Sequence, residues 1–327
     1  MKYLIIIIFF SYLNLYNSDW KFVLKPETNN YFSISTKDTT TFLFSNDDKN
    51  INIYQSKDDG KTWPKLYSIP GSSILNYNTS TVDVLDENTL FLPTELNNQI
   101  NRLSLAPYSW LASKINSKLT IDNIKMIDFN KGIAGNKNQI FITNDSWINY
   151  KTIEVYDLQS LWINSNESIS YVSNSEIVEY HWSNDKGLNW ESVEISDFES
   201  TKLYFNDDNL GFIIGNIIDT VSNSTLYVDI IYRTSDGGKT WLEVLHNIRN
   251  ERSELKDIDF KDSYKGIATG TSNSVYTTKD GGITWNKQII EPLIGSPSRN
   301  TKCGYTNNKF IISVDHLGLY FIKVSSL

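Results

Sequence analysis

Carboxylates set beside glycines are the residues of this chain whose types and spacing first suggest chemistry. Asp58-Asp59-Gly60 and Asp280-Gly281-Gly282 superficially resemble Ca²⁺ loops. An EF-hand loop, however, needs oxygen ligands at alternating positions and a closing glutamate, a pattern that follows neither segment. Asp83, Asp86, Glu87 and Glu95 form an acidic stretch that could supply a general acid and base for glycoside hydrolysis, or simply keep a loop soluble. Asp47-Asp48 and Asp207-Asp208 read as solvated turn residues. The three histidines, His181, His246 and His316, lie 65 and 70 residues apart, without metal-ligand spacing. Cys303 is the only cysteine, which rules out an intramolecular disulfide, a cysteine-based metal site and a lipid anchor near the N-terminus. The sequence has no Gly-x-Ser-x-Gly elbow, phosphate loop or dinucleotide fingerprint, so the expectation is no cofactor, no metal and no catalytic residue. Trp162, Tyr171, Tyr180 and Trp182 could stack on sugar faces, but alternation through Ile177, Val178, Tyr180 and Trp182 is also what a β-core requires.

The aspartates belong to a repeated eight-residue box. It occurs as Ser56-Lys-Asp58-Asp-Gly60-Lys-Thr-Trp63, Ser183-Asn-Asp185-Lys-Gly187-Leu-Asn-Trp190, Thr234-Ser-Asp236-Gly-Gly238-Lys-Thr-Trp241 and Thr278-Lys-Asp280-Gly-Gly282-Ile-Thr-Trp285. Each copy reads Ser/Thr-x-Asp-x-Gly-x-x-Trp, and the chemistry is that of a hairpin turn. The aspartate accepts backbone N–H groups, the glycine takes a positive φ, the hydroxyl anchors the strand end, and the tryptophan buries its face between hairpins. These roles are structural.

Box starts lie 127, 51 and 44 residues apart. A degenerate copy, Thr143-Asn-Asp145-Ser-Trp147-Ile-Asn-Tyr150, divides the first interval into 87 and 40. An eroded copy is then expected near residue 100, where strand-like Ile100–Leu105 precedes Trp110. A second signal runs ahead of the boxes: Ile127-Asp-Phe129 with Gly132 and Gly135, Leu203-Tyr-Phe205 with Gly211 and Gly215, Ile258-Asp-Phe260 with Gly266 and Gly270. Short strands separated by turns, about four per period of roughly 44 residues, predict β-propeller blades. The expected fold is all-β and seven-bladed, with six blades as the alternative. In the seven-bladed form Lys309–Val314 and Gly318–Val324 supply inner strands of the last blade and Trp20–Leu24 its outer strand.

The chain begins Met1-Lys2, followed by an apolar run to Leu13, too short for a bilayer but matching the core of a signal peptide. Residues 1–18 are expected to be an export signal, Tyr16 and Ser18 being weak cleavage-site residues, and residues 19–327 one propeller domain without a transmembrane segment. The expected location is secreted or periplasmic. Formal net charge is −8 with no basic stripe, which excludes nucleic acid as partner. Asn78, Asn144, Asn166 and Asn223 head Asn-x-Ser/Thr sequons.

The boxes resemble the Asp-box, or BNR, repeats of sialidases, sortilin-type receptor ectodomains and several glycoside hydrolases. Residues 260–285 look most like the photosystem II assembly-factor-like propellers, a seven-bladed group. That resemblance implies boxes on the blade periphery, marking a scaffold and not a site. A sialidase would bind its substrate carboxylate with three arginines. Here the first arginine is Arg102, and Arg233, Arg249, Arg252 and Arg299 follow, two of them in one short segment, so such a clamp is not expected. The function that follows is an exported, non-enzymatic scaffold binding a protein or carbohydrate partner at a propeller face, with glycoside hydrolysis as the alternative.

Overall fold

The computed structural model describes residues 20–24, 32–37, 39–46, 50–70, 82–94, 98–221, 224–290, 301–314 and 318–323. The expected signal segment, Asp47, Asp48, Glu95, His316, Arg299 and the sequons at Asn78 and Asn223 lie outside them. Among the described residues no helix is long and apolar enough to cross a membrane.

Every element among the described residues is a strand. The first, β1 (Lys21–Leu24), stands apart from six meanders of consecutive antiparallel strands. The first meander is β2 (Phe32–Lys37), β3 (Thr40–Asn46), β4 (Asn50–Ser56) and β5 (Lys65–Pro70). The second is β6 (Asp83–Val84), β7 (Thr89–Thr94), β8 (Gln99–Leu105) and β9 (Tyr108–Lys114). The third is β10 (Asn123–Met126), β11 (Gly132–Asn136), β12 (Gln139–Thr143) and β13 (Lys151–Glu154), and the fourth β14 (Leu158–Ile163), β15 (Ile169–Asn174), β16 (Val178–Ser183) and β17 (Glu191–Ser196). The fifth is β18 (Glu199–Phe205), β19 (Gly211–Val221), β20 (Ser224–Thr234) and β21 (Leu242–Arg249), and the sixth β22 (Leu255–Phe260), β23 (Gly266–Gly270), β24 (Val275–Thr278) and β25 (Asn286–Lys287).

A further four-stranded sheet joins the two ends of the chain, in the order β26 (Thr301–Tyr305), β27 (Lys309–Val314), β28 (Gly318–Lys323) and β1. Its outer strand is the N-terminal one, as expected. The sequence reading had not identified its innermost strand, β26, whose Thr-Lys-Cys-Gly-Tyr has no apolar alternation to announce it. Successive first strands touch around the ring, and β26 closes it by contacting both β22 and β2. The architecture is a β-propeller.

No single core holds it together. Seven apolar clusters lie one between each pair of neighbouring sheets, such as Phe212, Ile231, Ile258, Phe260 and Tyr276 between the fifth and sixth. A sheet sandwiched between two others buries both faces, which is why Gly132–Asn136 and Val275–Thr278 are buried at every residue instead of at alternate ones. The fourth strands, such as Tyr108–Lys114, are largely exposed at the rim.

Candidate functional site

The boxes occupy the turns between third and fourth strands. In each, the first hydroxyl donates to the aspartate and accepts the N–H of the fifth residue: Ser56 Oγ to Asp58 is 2.9 Å and Gly60 N to Ser56 2.9 Å, with matching bonds through Ser183, Thr234 and Thr278. The aspartate then takes the N–H and the side chain of the seventh residue, which is Thr62, Asn189, Thr240 or Thr284. This Thr/Asn partner recurs in every copy, although the turn pattern alone assigns it no role. Hydrogen bonds from Thr62 hold Asp58 at about 2, and those from Asn189 hold Asp185 at about 2. The degenerate copy keeps the same bonds through Thr143, Asp145 and Asn149, and Trp147 takes the glycine position at φ 69°. In the eroded copy β8 passes to β9 through Ala106-Pro107 alone.

The fourth residue of each box fastens its sheet to the preceding one. Its carbonyl accepts a side-chain donor from there: Asp59 from Lys309 at 3.1 Å, Lys186 from Lys151 at 3.3 Å, Gly237 from Tyr180 at 3.4 Å, and Gly281 from Arg233 at 2.8 Å. The box tryptophans wedge into the same seams, Trp63, Trp190, Trp241 and Trp285 each packing beside a cluster shared with the previous sheet. They are half-buried there, between neighbouring sheets, in line with the role expected from the turn chemistry. The hydroxyl, carboxylate and fourth-residue carbonyl groups of the boxes are thus engaged within the fold, whereas among the described residues the buried indole N–H groups of Trp241 and Trp285 have no hydrogen-bond partner.

The first strands enclose a central channel with a cavity of about 190 Å³. Period-two alternation aims Lys202 and Tyr204 of β18, and Asp257 and Asp259 of β22, into it. Lys202 is bonded to Asp257 Oδ1, and the Cys303 N–H donates to Oδ2 at 3.0 Å. Burial opposes ionisation of Asp257, but Lys202 and Lys302 outweigh it and hold the carboxyl below its usual range. For Asp259 burial, helped by the neighbouring Asp257 charge, outweighs the attraction of Lys202 and pushes the carboxyl up to about 7, with Tyr204 Oη donating to it at 3.4 Å. Across the channel Lys125 pairs with Asp83 at 2.9 Å, and its ammonium lies 5.1 Å from the Trp162 ring centroid. Burial raises the Cys303 thiol well above its ordinary value, so it stays protonated and is no nucleophile.

A larger recess, about 670 Å³, opens between the fourth and fifth sheets on the face opposite the boxes. Asp157, Glu176, Asp197, Glu199 and Asp219 line it with a single cation, Lys137, which is paired with Asp157 at 2.8 Å.

Of the acidic residues singled out from sequence that lie among the described residues, only Asp83 reaches the channel; Asp86 caps the N–H of Asn88 and Glu87 pairs with Lys57. Asp207 caps the N–H groups of Asn209 and Leu210 in its turn, and Asp208 accepts from Ser165. Among the described residues no arginine lines the channel: Arg102 bonds Ser146, Arg233 bonds Gly281, and Arg249 is buried against Asp229. Tyr171 and Tyr180 are core residues, and His181 stacks on Tyr171 at 4.4 Å. Trp162 and Trp182 are half-buried beside the seam between the fourth and fifth sheets, where Tyr180 packs. Asp257 and Asp259 went unnoticed in sequence because the strand in which they alternate was taken only as a repeat signal.

No protein-family model matches the sequence, and no curated protein matches it. Solved structures do match in fold. YCF48 bound to D1 peptide is 16% identical, with a TM-score of 0.66, over 95% of this chain and 96% of that one. YCF48 from Cyanidioschyzon merolae is 14% identical, with a TM-score of 0.63, over 94% and 99%. Virginiamycin B lyase from Staphylococcus aureus is 10% identical, with a TM-score of 0.70, over 93% and 98%. At these identities the likeness is one of β-propeller architecture.

Proposed function

We propose that this chain is an exported, non-enzymatic propeller of the Asp-box type that binds a segment of a partner protein. In this reading residues 19–327 form one domain and all seven sheets, the composite one included, act as blades. The observation that carries it is the contrast between the two cavities. The recess, at about 670 Å³, falls in the range of ~300–1,000 Å³ typical of ligand sites, while the channel, at about 190 Å³, falls below it. Channel charges are also largely spent on one another, as in Lys202 with Asp257 and Lys125 with Asp83. A propeller of like fold, YCF48, has been solved with a bound peptide, which supports a protein partner by analogy of fold.

Glycoside hydrolysis is the second reading, favoured by one observation: Asp257 and Asp259 have their pKa values driven apart, as an acid and a carboxylate base would need. The two readings separate in one experiment on the purified protein. Soluble positional-scanning peptide libraries should show saturable binding, and a panel of glycosides no turnover. Turnover that disappears in Asp259→Asn, without peptide binding, would reverse the conclusion.

A further inference from the structure

Building on the protein-binding reading, we propose that the recess takes an extended, cationic peptide segment, which adds as a strand to the inner edge of β19. Three independent features meet there. The first is an open sheet edge. Pairing of β18 with β19 ends at Glu199 opposite Asn216, whereas β19 runs on to Val221 paired with β20 alone. Ile217, Ile218 and Asp219 of that extension line the recess. Such an edge offers backbone donors and acceptors to an incoming strand.

The second feature is an unsatisfied amide. Asn216 is 1% exposed, lines the recess, and neither its Nδ2 nor its Oδ1 has a hydrogen-bond partner. Its counterparts at the ends of β11 and β15 are satisfied. Asn136 Nδ2 donates to Ser117 Oγ at 2.8 Å, and Asn174 Nδ2 donates to the Ser200 carbonyl at 3.0 Å. Those strands turn at their asparagine, while β19 continues past it and leaves the amide facing the recess. A buried amide costs free energy until a ligand supplies both a donor and an acceptor, as a peptide backbone does.

Charge is the third. Four of the five carboxylates lining the recess have no lysine or arginine in ion-pair contact among the described residues, so a Lys- or Arg-bearing segment is favoured and polyanions are repelled. A second copy of this chain would bring the same acidic wall to the same edge, and is disfavoured too.

The test uses the whole protein and three ten-residue blocked peptides: alternating Lys/Val, alternating Glu/Val, and Lys/Val with alternate backbone nitrogens methylated. Calorimetry should show saturable binding of the first only. The exposed-site variant Glu176→Lys/Asp219→Lys and the variant Asn216→Leu should each weaken it by about tenfold or more, with melting temperature followed in parallel. Methylated peptide binding as well as the parent would refute strand addition. Undiminished binding to Glu176→Lys/Asp219→Lys would place the cation elsewhere and overturn the site while leaving the protein-binding reading intact. Failure of the Lys/Val peptide to bind while library peptides do bind would have the same meaning, and failure of every peptide would defeat both. Self-association of the free protein, abolished by the charge reversal, would identify a second copy as the occupant and likewise overturn the proposal.

Discussion

The ring of Tyr180 occupies the space that a side chain on Gly238 would need: a Cβ built there would sit 2.3 Å from Tyr180 Cε1. Gly238 also has φ 93°, so two constraints fall on one residue, its own backbone and the neighbouring sheet. Gly238→Ala should therefore destabilise the fold by about 2–4 kcal/mol, combining positive-φ strain with overpacking. Urea titration would show it as a lowered midpoint with an unchanged slope.

Trp241 meets Tyr180 edge-on at 5.2 Å and Phe205 at 6.2 Å, in the same seam. Because the indole is half-buried, Trp241→Ala should cost about 2–3 kcal/mol, below the range for fully buried tryptophans. Peptide binding on the opposite face should survive at temperatures where the variant is folded, as calorimetry would report.

Trp147→Gly sets two effects against each other. Glycine removes a left-handed backbone strain of roughly 1–2 kcal/mol, but deletes a side chain only 2% exposed, a loss of roughly 3–5 kcal/mol. Burial wins, and the variant should be less stable by about 2 kcal/mol in equilibrium denaturation.

Asp259 makes stability depend on pH. Its folded value of about 7 lies above the ordinary 3.8, so its contribution is full below that ordinary value and is lost as pH rises through about 7. Asp259→Asn does not titrate. The stability difference, variant minus wild type, should grow between about pH 4 and about pH 8 and level off above that. A flat difference across that interval would show that the carboxyl is not held protonated.

Lys202→Ala strands the Asp257 carboxylate, whose side chain is 5% exposed, without its counter-charge. A loss of about 3–5 kcal/mol is expected near neutral pH. The loss should shrink in acid, where Asp257 takes up a proton in the variant at a higher pH than in the wild type. Denaturation midpoints at two pH values measure it.

The boxes were legible in sequence because each one is a local turn whose hydrogen bonds run between residues a few positions apart. The same locality preserved the degenerate copy at Thr143, where Trp147 could replace glycine only by accepting its φ. The channel pair was not legible. In Leu255-Lys-Asp-Ile-Asp-Phe260 the alternation shows that Asp257 and Asp259 share a face, but a sheet with neighbours on both sides buries both faces, so period alone cannot say which face meets the axis. Lys202 reaches Asp257 from a strand 55 residues away, a distance no pattern reports. The recess depends likewise on where β18 begins relative to the end of β19, which is a matter of register between strands.

The sheet made from both chain ends sets an order in time. Lys21 pairs with Phe321, so the first strand has no partner until the chain has been made as far as Phe321. Six meanders can form as each is completed, but the ring stays open until the last sheet is made, and contacts of such long sequence separation form late. Closure therefore serves as a completeness check, since a chain cut short before β28 leaves β1 without a strand to join.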